Sequence, residues 1–537
     1  MTDRKTRYID DQTAKYAAGH INRRAFITRL AATGMAIPAA MTIATRVEAA
    51  TPSRGGSFVM AMAHGSTTDS LDPATYENGF MTNTGFTYGN CLTEVGPDNN
   101  LRPELAESYE PRNGGATWAF TLRQGVEFHN GKTMTADDVI ASINYHRGEN
   151  STSAAKGLLT AVTDIRAEGS NVVVIDLDSP NADFPFIVSD YHLLILPSAG
   201  GEVDPTAGIG TGSYVIENFE PGVRLQATRN ANYWKEGNAW FDDIEILSVI
   251  DVTARQNALL SREAHLIDRV DPSTVNFLSR APHVDILDLT GYLHYTFPMR
   301  LDVAPFDNYD LRMALKLAIN KQEMVDKILS GYGTVGNDHP ISPIVPYAAN
   351  DLPQREYDPD MAKFHYEKSG HSGAIQLSSS DAAFAGAVDA AQLIQASAAA
   401  AGIEIEVVRE PQDGYWSNVW NKKGWSACYW GGRPTVDWMF ASAYVQESEW
   451  NDTAWRNTEA ADRFNVIVVE ARAELDTTKR AEMYYEAQRL IHDDGGAIVP
   501  MFANYIMGES NVVAHGENVA SNWEMDGARA TERWWMA

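Results

Sequence analysis

The chain has 537 residues, of which 44% are hydrophobic and 21% charged, so it is long enough for two or three domains and too apolar to be disordered. Its 71 acidic and 43 basic residues give a formal net charge of −28. A field of that sign repels phosphate backbones and anionic lipid head groups, which argues against nucleic acids and membrane surfaces as partners.

The first 49 residues differ from the rest because they carry a net charge of +4. The pair Arg23–Arg24, with Phe26 two residues later, precedes the small and apolar run AATGMAIPAAMTIAT and the sequence VEAA. This pattern resembles a twin-arginine export signal. The alternative, an amphipathic helix, is disfavoured by Pro38 and by the lack of a polar face. The run is too short to span a bilayer permanently, and no Cys follows it as in a lipoprotein. We expect a signal peptide at 1–49 and a mature protein that is free in the periplasm.

After the leader, the sequence predicts a strand-rich α/β region followed by a helix-rich one. The first part contains the strand GGSFVMAMAH, two alternating strands around Asn113-Gly-Gly, and a helix opened at Thr135. NVVVIDLDSP and YHLLILPS are further strand candidates, and 210–234 alternates around a Pro-Gly turn. Residues 308–331 have helical spacing that ends at Gly331. Residues 390–408 and 478–502 each give a helix followed by a strand, the αβ step of a parallel sheet.

The usual catalytic and metal-binding signatures are missing from the sequence. It has no HExxH, no phosphate-binding loop and no Gly-x-Ser-x-Gly elbow, so we expect a protein that is not an enzyme and that has neither a cofactor nor a metal. Adjacent acids such as Asp137–Asp138 are typical of solvated helix ends. Cys91 and Cys428 are the only cysteines; one disulfide is possible, but export of a folded protein favours two buried thiols.

Four blocks, in the same order along the chain, resemble the peptide-type extracellular solute-binding proteins of ABC importers. They are LRPELAESYE…GATWAFTLRQGVEFHNGKTMTADDV, GTGSYVIENFEPGVRLQATRNANYW, APFDNYDLRMALKLAINKQEMVDKILSGYG and ARAELDTTKRAEMYYEAQRLIHDDGGAIVPMF. The resemblance implies a two-lobed α/β periplasmic-binding-protein fold, with an extra subdomain and a ligand between lobes that close about a hinge. We expect lobe I at 50–296 plus 503–537 and lobe II at 297–502, in a monomer that delivers its ligand to an inner-membrane ABC permease.

The resemblance places the loop ACYWGGRPTVDWMF in the ligand cleft. Linear-dipeptide binders of this family carry a Trp and a Gly there, matched by Trp430 and Gly432, and then an Asp for the ligand's amino group. This chain has Arg433 at that position, and its nearest acid is Asp437. The helix near 384–401, where those binders hold the peptide carboxylate with an Arg, has no basic residue. A simple dipeptide ligand is therefore less favoured than an anion held by Arg433, with Trp430 stacking on it.

The alternative is that Arg433 and Asp437 pair with each other and only fix the loop. The remaining candidate ligand contacts are Tyr429 and Gly431 in the same loop, Tyr191, His192 and His294 near predicted strand ends, and Arg300, where relatives often have an Asn-Thr pair. The histidines and Tyr191 are equally consistent with packing. The expected function is capture of a small peptide or peptide-like, anion-bearing solute for an ABC importer. The alternative is a ligand such as a metal chelate, a haem-like or an opine-like compound, or a chemosensory role.

Overall fold

The computed structural model describes residues 8–9, 11–13, 15, 21–33, 35, 40–41, 52–411, 415–431, 433–448 and 450–537. Much of the predicted leader, including VEAA, lies outside these residues, as does Gly432. The helices are α1 Arg23–Ala31, α2 Gly79–Tyr88, α3 Ala136–Tyr145, α4 Phe184–Ile187, α5 Val252–Ser261, α6 Val275–Leu278, α7 Tyr309–Leu317, α8 Lys321–Ile328, α9 Pro359–Ser369, α10 Ala387–Ala398, α11 Tyr415–Asn418, α12 Val436–Ala443, α13 Glu459–Ala473, α14 Thr477–Asp493 and α15 Ala530–Arg533.

The strands are β1 Ser57–Met62, β2 Thr93–Val95, β3 Leu101–Pro103, β4 Ala106–Arg112, β5 Thr117–Leu122, β6 Val162–Glu168, β7 Val172–Leu177, β8 Ser198–Ala199, β9 Glu202–Val203, β10 Tyr214–Glu220, β11 Arg224–Arg229, β12 Asp243–Ser248, β13 Leu266–Ile267, β14 Val284–Thr296, β15 Gly333–Val335, β16 Ile375–Ser379, β17 Ile405–Arg409, β18 Cys428–Trp430, β19 Met501–Ser510, β20 Val513–Ala514 and β21 Trp535–Met536. A nine-stranded sheet runs in the order β10-β11-β12-β1-β13-β19-β14-β18, with β15 paired to β19. A four-stranded sheet, β4-β5-β7-β6, forms a separate layer.

The buried side chains separate the chain into two lobes. The fully buried members of three cores come from residues 58–284 and 506–534, which we call lobe I. Those of two other cores come from residues 292–503, which we call lobe II. The four-stranded sheet packs around one of the lobe I cores, which contains Trp118 and Phe120, and so forms the extra subdomain. The bounds given from the sequence stay a prediction.

Two long strands pass from one lobe to the other. β14 and β19 pair antiparallel from Val284–Ser510 to Tyr295–Met501, and the register shifts between Thr290 and His294. A Cβ on Gly291, within that shift, would lie 2.6 Å from the ring of Tyr505. Because real Cβ atoms do not approach so closely, a side chain at this position would require the Tyr505 ring to move. The lobes are therefore joined through one interrupted ladder.

Local sequence signals explain many element boundaries. α3 begins where predicted, because Thr135 and Asp138 form a capping box. The predicted helix over 308–331 is instead two helices, because the Asn320 side chain accepts a hydrogen bond from the Glu323 backbone and starts α8 anew. The last predicted αβ step is wrong in direction, since β19 runs antiparallel to β13, β14 and β15.

The predicted strand YHLLILPS is also wrong over most of its length. Residues 191–197 are irregular, although Leu193 to Leu196 are buried. Their backbone donors go to single partners, as when Ile195 donates to the Asn90 carbonyl at 3.0 Å and Leu196 to the Ser142 hydroxyl at 2.9 Å. The apolar run in the sequence therefore reflects the burial of these residues and not a strand.

The two cysteines lie in different lobes and do not pair. Cys91 belongs to a lobe I core and Cys428 to a lobe II core, and both are buried thiols. Of the disulfide and the two thiols left open by the sequence, the structure has the thiols. Within the described part of the chain, no helix has the length and apolar character needed to cross a bilayer.

Candidate functional site

The space between the lobes contains two cavities that share walls. The inner one has a volume of about 30 Å³ and is lined from lobe I by Tyr191, Trp523 and Arg529 and from lobe II by Pro434 and Trp438, among others. The second, which we call the outer chamber, has a volume of about 350 Å³ and lies between the extra subdomain and α12. Phe186 and Trp438 line both cavities, so the two are parts of one interlobe cleft.

β18 carries the predicted ligand loop to the edge of the cleft. It pairs with the end of β14, with Trp430 opposite His294 and Tyr429 opposite Tyr295. The loop ends at Thr435, whose hydroxyl accepts from the Trp438 backbone at 3.2 Å and starts α12. Tyr429 is exposed, whereas Trp430 is buried. The strand and the helix cap together fix the two ends of the loop that contains Gly431 and Arg433.

Arg433 is half-buried and precedes Pro434, which lines the inner cavity, although Arg433 itself belongs to neither lining. Its Nη1 donates to the Gly431 carbonyl at 2.8 Å, and its guanidinium lies 5.9 Å from the centre of the Trp430 ring. Burial lowers the pKa of Arg433, and Tyr191 and Asp190 of lobe I oppose that shift. The side chain is therefore a cation within electrostatic reach of the opposite lobe, next to an aromatic face.

Asp437 does not pair with Arg433, so the pairing considered as the alternative is wrong, whereas the ligand contact of Arg433 stays a prediction. Both of its carboxylate oxygens accept from Arg472 Nε, at 3.0 and 2.9 Å. Burial raises the pKa of Asp437, and the charge of Arg472 on α13 opposes that shift. The partner lies 35 residues away in sequence, on another helix. No local pattern could have identified it.

The two lobe I candidates have different surroundings. The Tyr191 ring lines the inner cavity and meets the Trp523 ring edge-on at 5.7 Å. His192 is buried, with Nδ1 2.6 Å from Asp190 Oδ1 and Nε2 2.8 Å from the Tyr76 carbonyl. Burial lowers the pKa of His192, but the hydrogen bond and charge of Asp190 outweigh it and the pKa is raised. Both ring nitrogens thus bind protein oxygens, whereas Tyr191 presents a surface to the cleft.

Tyr191 lines the inner cavity and Asp437 the outer chamber, whereas the other described candidates lie outside both linings: His192, His294, Arg300, Tyr429, Trp430, Gly431 and Arg433. His294 is fully buried beside Phe502, and burial lowers its pKa to about 3, so the ring is neutral at physiological pH. Arg300 donates to Asp302 Oδ2 at 2.7 Å and to the Asn421 carbonyl at 2.9 Å. In this conformation, its guanidinium fixes a turn of lobe II.

Trp430 is held by a buried acid that the sequence analysis did not single out. Asp452 Oδ2 accepts from the indole nitrogens of Trp420 and Trp430, each at 3.1 Å. Burial raises the pKa of Asp452 to about 6, even though both indoles favour its charged form. Trp450 extends the group, with its ring 6.1 Å from Trp430. The hydrogen bond to this one buried carboxyl group therefore fixes the orientation of the Trp430 indole.

The floor of the cleft in lobe I is a buried ion network. Arg529, which lines the inner cavity, lies 2.6 Å from Glu104 and 3.0 Å from Glu532. Lys235 lies 2.7 Å from Glu94 and from Glu532. Oxygens of the three glutamates lie within 4.8 Å of one another, the spacing of a metal site. Arg533 lies 3.7 Å from Glu94, so three cations balance the three glutamates, and the arrangement fits an ion-pair network better than a metal centre.

Known proteins share this architecture. The family described as bacterial extracellular solute-binding proteins, family 5 Middle, matches residues 100–452. The dipeptide-binding protein of Escherichia coli (strain K12) is 24% identical over 451 residues, which are 74% of this chain and 80% of that protein. Heme-binding protein A of Haemophilus influenzae is 25% identical over 434 residues, 73% and 77% of the two chains. The solved structure of HbpA2 from Haemophilus parasuis has a TM-score of 0.76 at 21% identity, and the match covers 86% of this chain and 97% of that one.

Two α/β lobes, two crossing strands and a cleft lined from both sides define a solute-binding protein that encloses its ligand by closure. The chain belongs to family 5 of the bacterial extracellular solute-binding proteins. The family, the two-lobed fold and the solute-binding function predicted from the sequence are thereby confirmed.

Proposed function

We propose that the protein captures a small peptide or peptide-like solute that carries an anionic group, and delivers it to the permease of an ABC importer. The observation that carries this proposal is that Arg433 adjoins Pro434 in the wall of the inner cavity, which Tyr191 of lobe I also lines, and that its charge reaches Tyr191 and Asp190. A guanidinium binds a carboxylate through two parallel hydrogen bonds, and Trp430 beside it offers an aromatic surface. The dipeptide-binding relative supports the peptide-like part of the proposal.

Closure of the two lobes would let the permease distinguish the solute-bound protein from the empty one. Contacts from both lobes become available together when the cleft closes, so the closed form is stabilised only with a solute that fits. The permease then meets a closed protein. None of the residues assigned to the cleft is given a catalytic role, and we propose a binding protein that works as a monomer. Export by a twin-arginine signal, with a soluble periplasmic mature form, belongs to the same proposal.

Calorimetry tests the proposal directly. Dipeptides with free carboxyl termini are titrated into the mature protein beside the same dipeptides with amidated termini, and scattering measures compaction. We expect free acids to bind and to reduce the radius of gyration, and amides to bind at least tenfold more weakly. Equal affinity for acids and amides would refute the anionic requirement. Native mass spectrometry of protein isolated from its host's periplasm identifies the natural solute independently.

A further inference from the structure

The outer chamber is large enough to hold part of a solute. Its volume of about 350 Å³ falls within the range of small-molecule pockets, whereas the inner cavity of about 30 Å³ has room for little more than water. Lobe I contributes residues 157–161 and 179–187 to its wall, and lobe II contributes residues 435–442 and Arg472. Because both lobes form the chamber, a group bound there also stabilises the closed arrangement.

Arg472 is the cation that lines the chamber. Its Nε is held by both oxygens of Asp437, and that carboxylate is only 8% exposed, whereas the Arg472 side chain is 29% exposed. Among the described residues, the two terminal nitrogens of the guanidinium have no hydrogen-bond partner. The backbone of Arg472 is fixed as well, since its carbonyl accepts from Ala182 of lobe I at 2.7 Å. Because Asp437 holds only Nε, the edge formed by Nη1 and Nη2 can donate two hydrogen bonds to a carboxylate.

The rest of the lining suits an organic acid with an apolar body. The larger apolar side chains are Leu158, Phe184, Phe186, Ile187 and Trp438, and the neutral polar ones are Thr160, Ser179, Asn181, Thr435 and Ser442. The second acid in the wall, Asp183, is paired with Arg480 at 2.6 Å. Both acids of the chamber thus have a cation partner of their own. A carboxylate entering beside Arg472 meets no unpaired negative charge among the described wall residues.

We propose that the outer chamber is a second subsite of the cleft, in which Arg472 binds a carboxylate of the solute while the apolar wall takes the carbon skeleton next to it. This inference rests on the solute-binding function proposed above and assigns a specificity that Arg433 alone does not give. A solute with an acidic side chain or a second carboxylate is preferred over its neutral amide. Asp437 is a positioning residue, because it turns the free edge of Arg472 toward the chamber.

Two pairs of probes test the chamber separately from the peptide hypothesis. The first pair is 3-phenylpropionate and 3-phenylpropanamide, which differ in charge but not in skeleton and contain no peptide bond. The second pair is alanyl-glutamate and alanyl-glutamine. Both are titrated into the wild type, Arg472→Gln, Asp437→Asn and Ala441→Phe, with Ala400→Phe as the control. Ala441 lines the chamber one helical turn after Asp437 and takes no part in the ion pair, whereas Ala400 is exposed elsewhere in lobe II.

We expect each acid to bind the wild type at least tenfold more tightly than its amide. Arg472→Gln abolishes that ratio, Ala441→Phe weakens both members of a pair, and Asp437→Asn lowers the ratio without abolishing it, because Arg472 keeps its charge but loses the carboxylate that holds its Nε. If the Asp437–Arg472 pair has only a structural role, both single variants will have a lower melting temperature and the acid-to-amide affinity ratio will be the same as in the wild type. Failure of phenylpropionate to bind at millimolar concentration would also overturn the chamber. If dipeptides fail and phenylpropionate behaves as expected, the proposed function fails alone; if dipeptides bind with a ratio that Arg472→Gln leaves intact, the chamber fails alone.

Discussion

The interlobe ion pair between Asp183 and Arg480 gives a prediction that needs no ligand. Arg480 Nη2 lies 2.6 Å from Asp183 Oδ2, and the two side chains are only 7% and 8% exposed. Arg480 Nε donates to the Ala471 carbonyl at 3.1 Å, and the guanidinium lies 5.3 Å from the centre of the Tyr484 ring. Burial lowers the pKa of Arg480, but the charge of Asp183 outweighs it and the pKa is raised. Asp183→Ala therefore leaves a desolvated cation in the closed protein.

Removing one partner of a buried ion pair costs on the order of 3–5 kcal/mol. Opening of the cleft can relieve this cost, because Asp183 belongs to lobe I and Arg480 to lobe II. In the open form the guanidinium is again in contact with water. We expect the variant to shift from closed toward open by roughly a hundredfold to a few thousandfold in the equilibrium constant, since each 1.4 kcal/mol is about a factor of ten. Apparent affinity falls in proportion to the closed fraction.

Small-angle scattering on the ligand-free protein measures this shift as a larger radius of gyration, and thermal melting measures any loss that opening does not relieve. Asp178→Ala is the matched control, because Asp178 is an exposed acid in the segment that leads to the same contact. A radius and a melting temperature both equal to those of the control would refute the reasoning. The pair would then contribute no more than a surface salt bridge, about 0–1 kcal/mol.

Three further predictions concern binding, stability against pH, and export. Arg433→Ala lowers affinity for an anionic solute by roughly 2–5 kcal/mol, because the anion stays desolvated and unpaired, and Arg433→Lys restores only part; calorimetry measures both. Asp452 has a native pKa of about 6 against an ordinary value of 3.8, so the folded protein holds this proton more firmly and stability falls as pH rises between those values. Ionisation of Asp452 therefore costs the folded protein roughly 3 kcal/mol of stability at pH 7, and we expect Asp452→Asn to remove this pH-dependent loss, as measured by denaturant titrations. Replacing Arg23 and Arg24 together by Lys abolishes periplasmic accumulation, measured by fractionation, because the export receptor reads the arginine pair.

Each of these has an outcome that contradicts it. An Arg433→Ala variant that keeps its affinity within threefold removes Arg433 from the site, whatever happens to its melting temperature. A pH slope that survives in Asp452→Asn assigns the titration to another group, and Asp462→Asn, an exposed helix position, is the control. Normal periplasmic yield of the double lysine variant means that the leader has been misread, with the single Arg29→Lys variant as its control.

Local patterns predicted the parts of the fold that depend on neighbouring residues. The helix start at Thr135 and the hairpin around Asn113 follow from caps and turn residues that act over a few positions. YHLLILPS failed because an apolar run reports burial, and burial at Leu193 and Leu196 is achieved here without a strand partner. The direction of β19 failed because a helix before a strand does not determine which strand it pairs with.

The cleft was predictable where the family pattern reached it and not beyond. Arg433 stands out because it replaces an expected acid in a recognised loop, and its ligand contact stays a prediction, whereas Asp437 was assigned the wrong partner. Arg472, Asp452 and Trp523 carry no motif, and their roles depend on contacts between helices and lobes that are distant in sequence. Electrostatic pairing across a fold is set by three-dimensional proximity, which periodicity and spacing do not encode.

The crossing of both lobes by β14 and β19 has a mechanical consequence. A sheet bends easily out of its plane and resists shear within it, because shear stretches every hydrogen bond of the ladder at once. The interruption between Thr290 and His294 concentrates bending at one line. Motion about that line has essentially one degree of freedom. Each time the cleft closes, the same surfaces of lobe I and lobe II therefore meet. Two interlobe contacts, Arg480 with Asp183 and the Ala182 backbone with the Arg472 carbonyl, can then form together each time the lobes close, without a search over relative orientations.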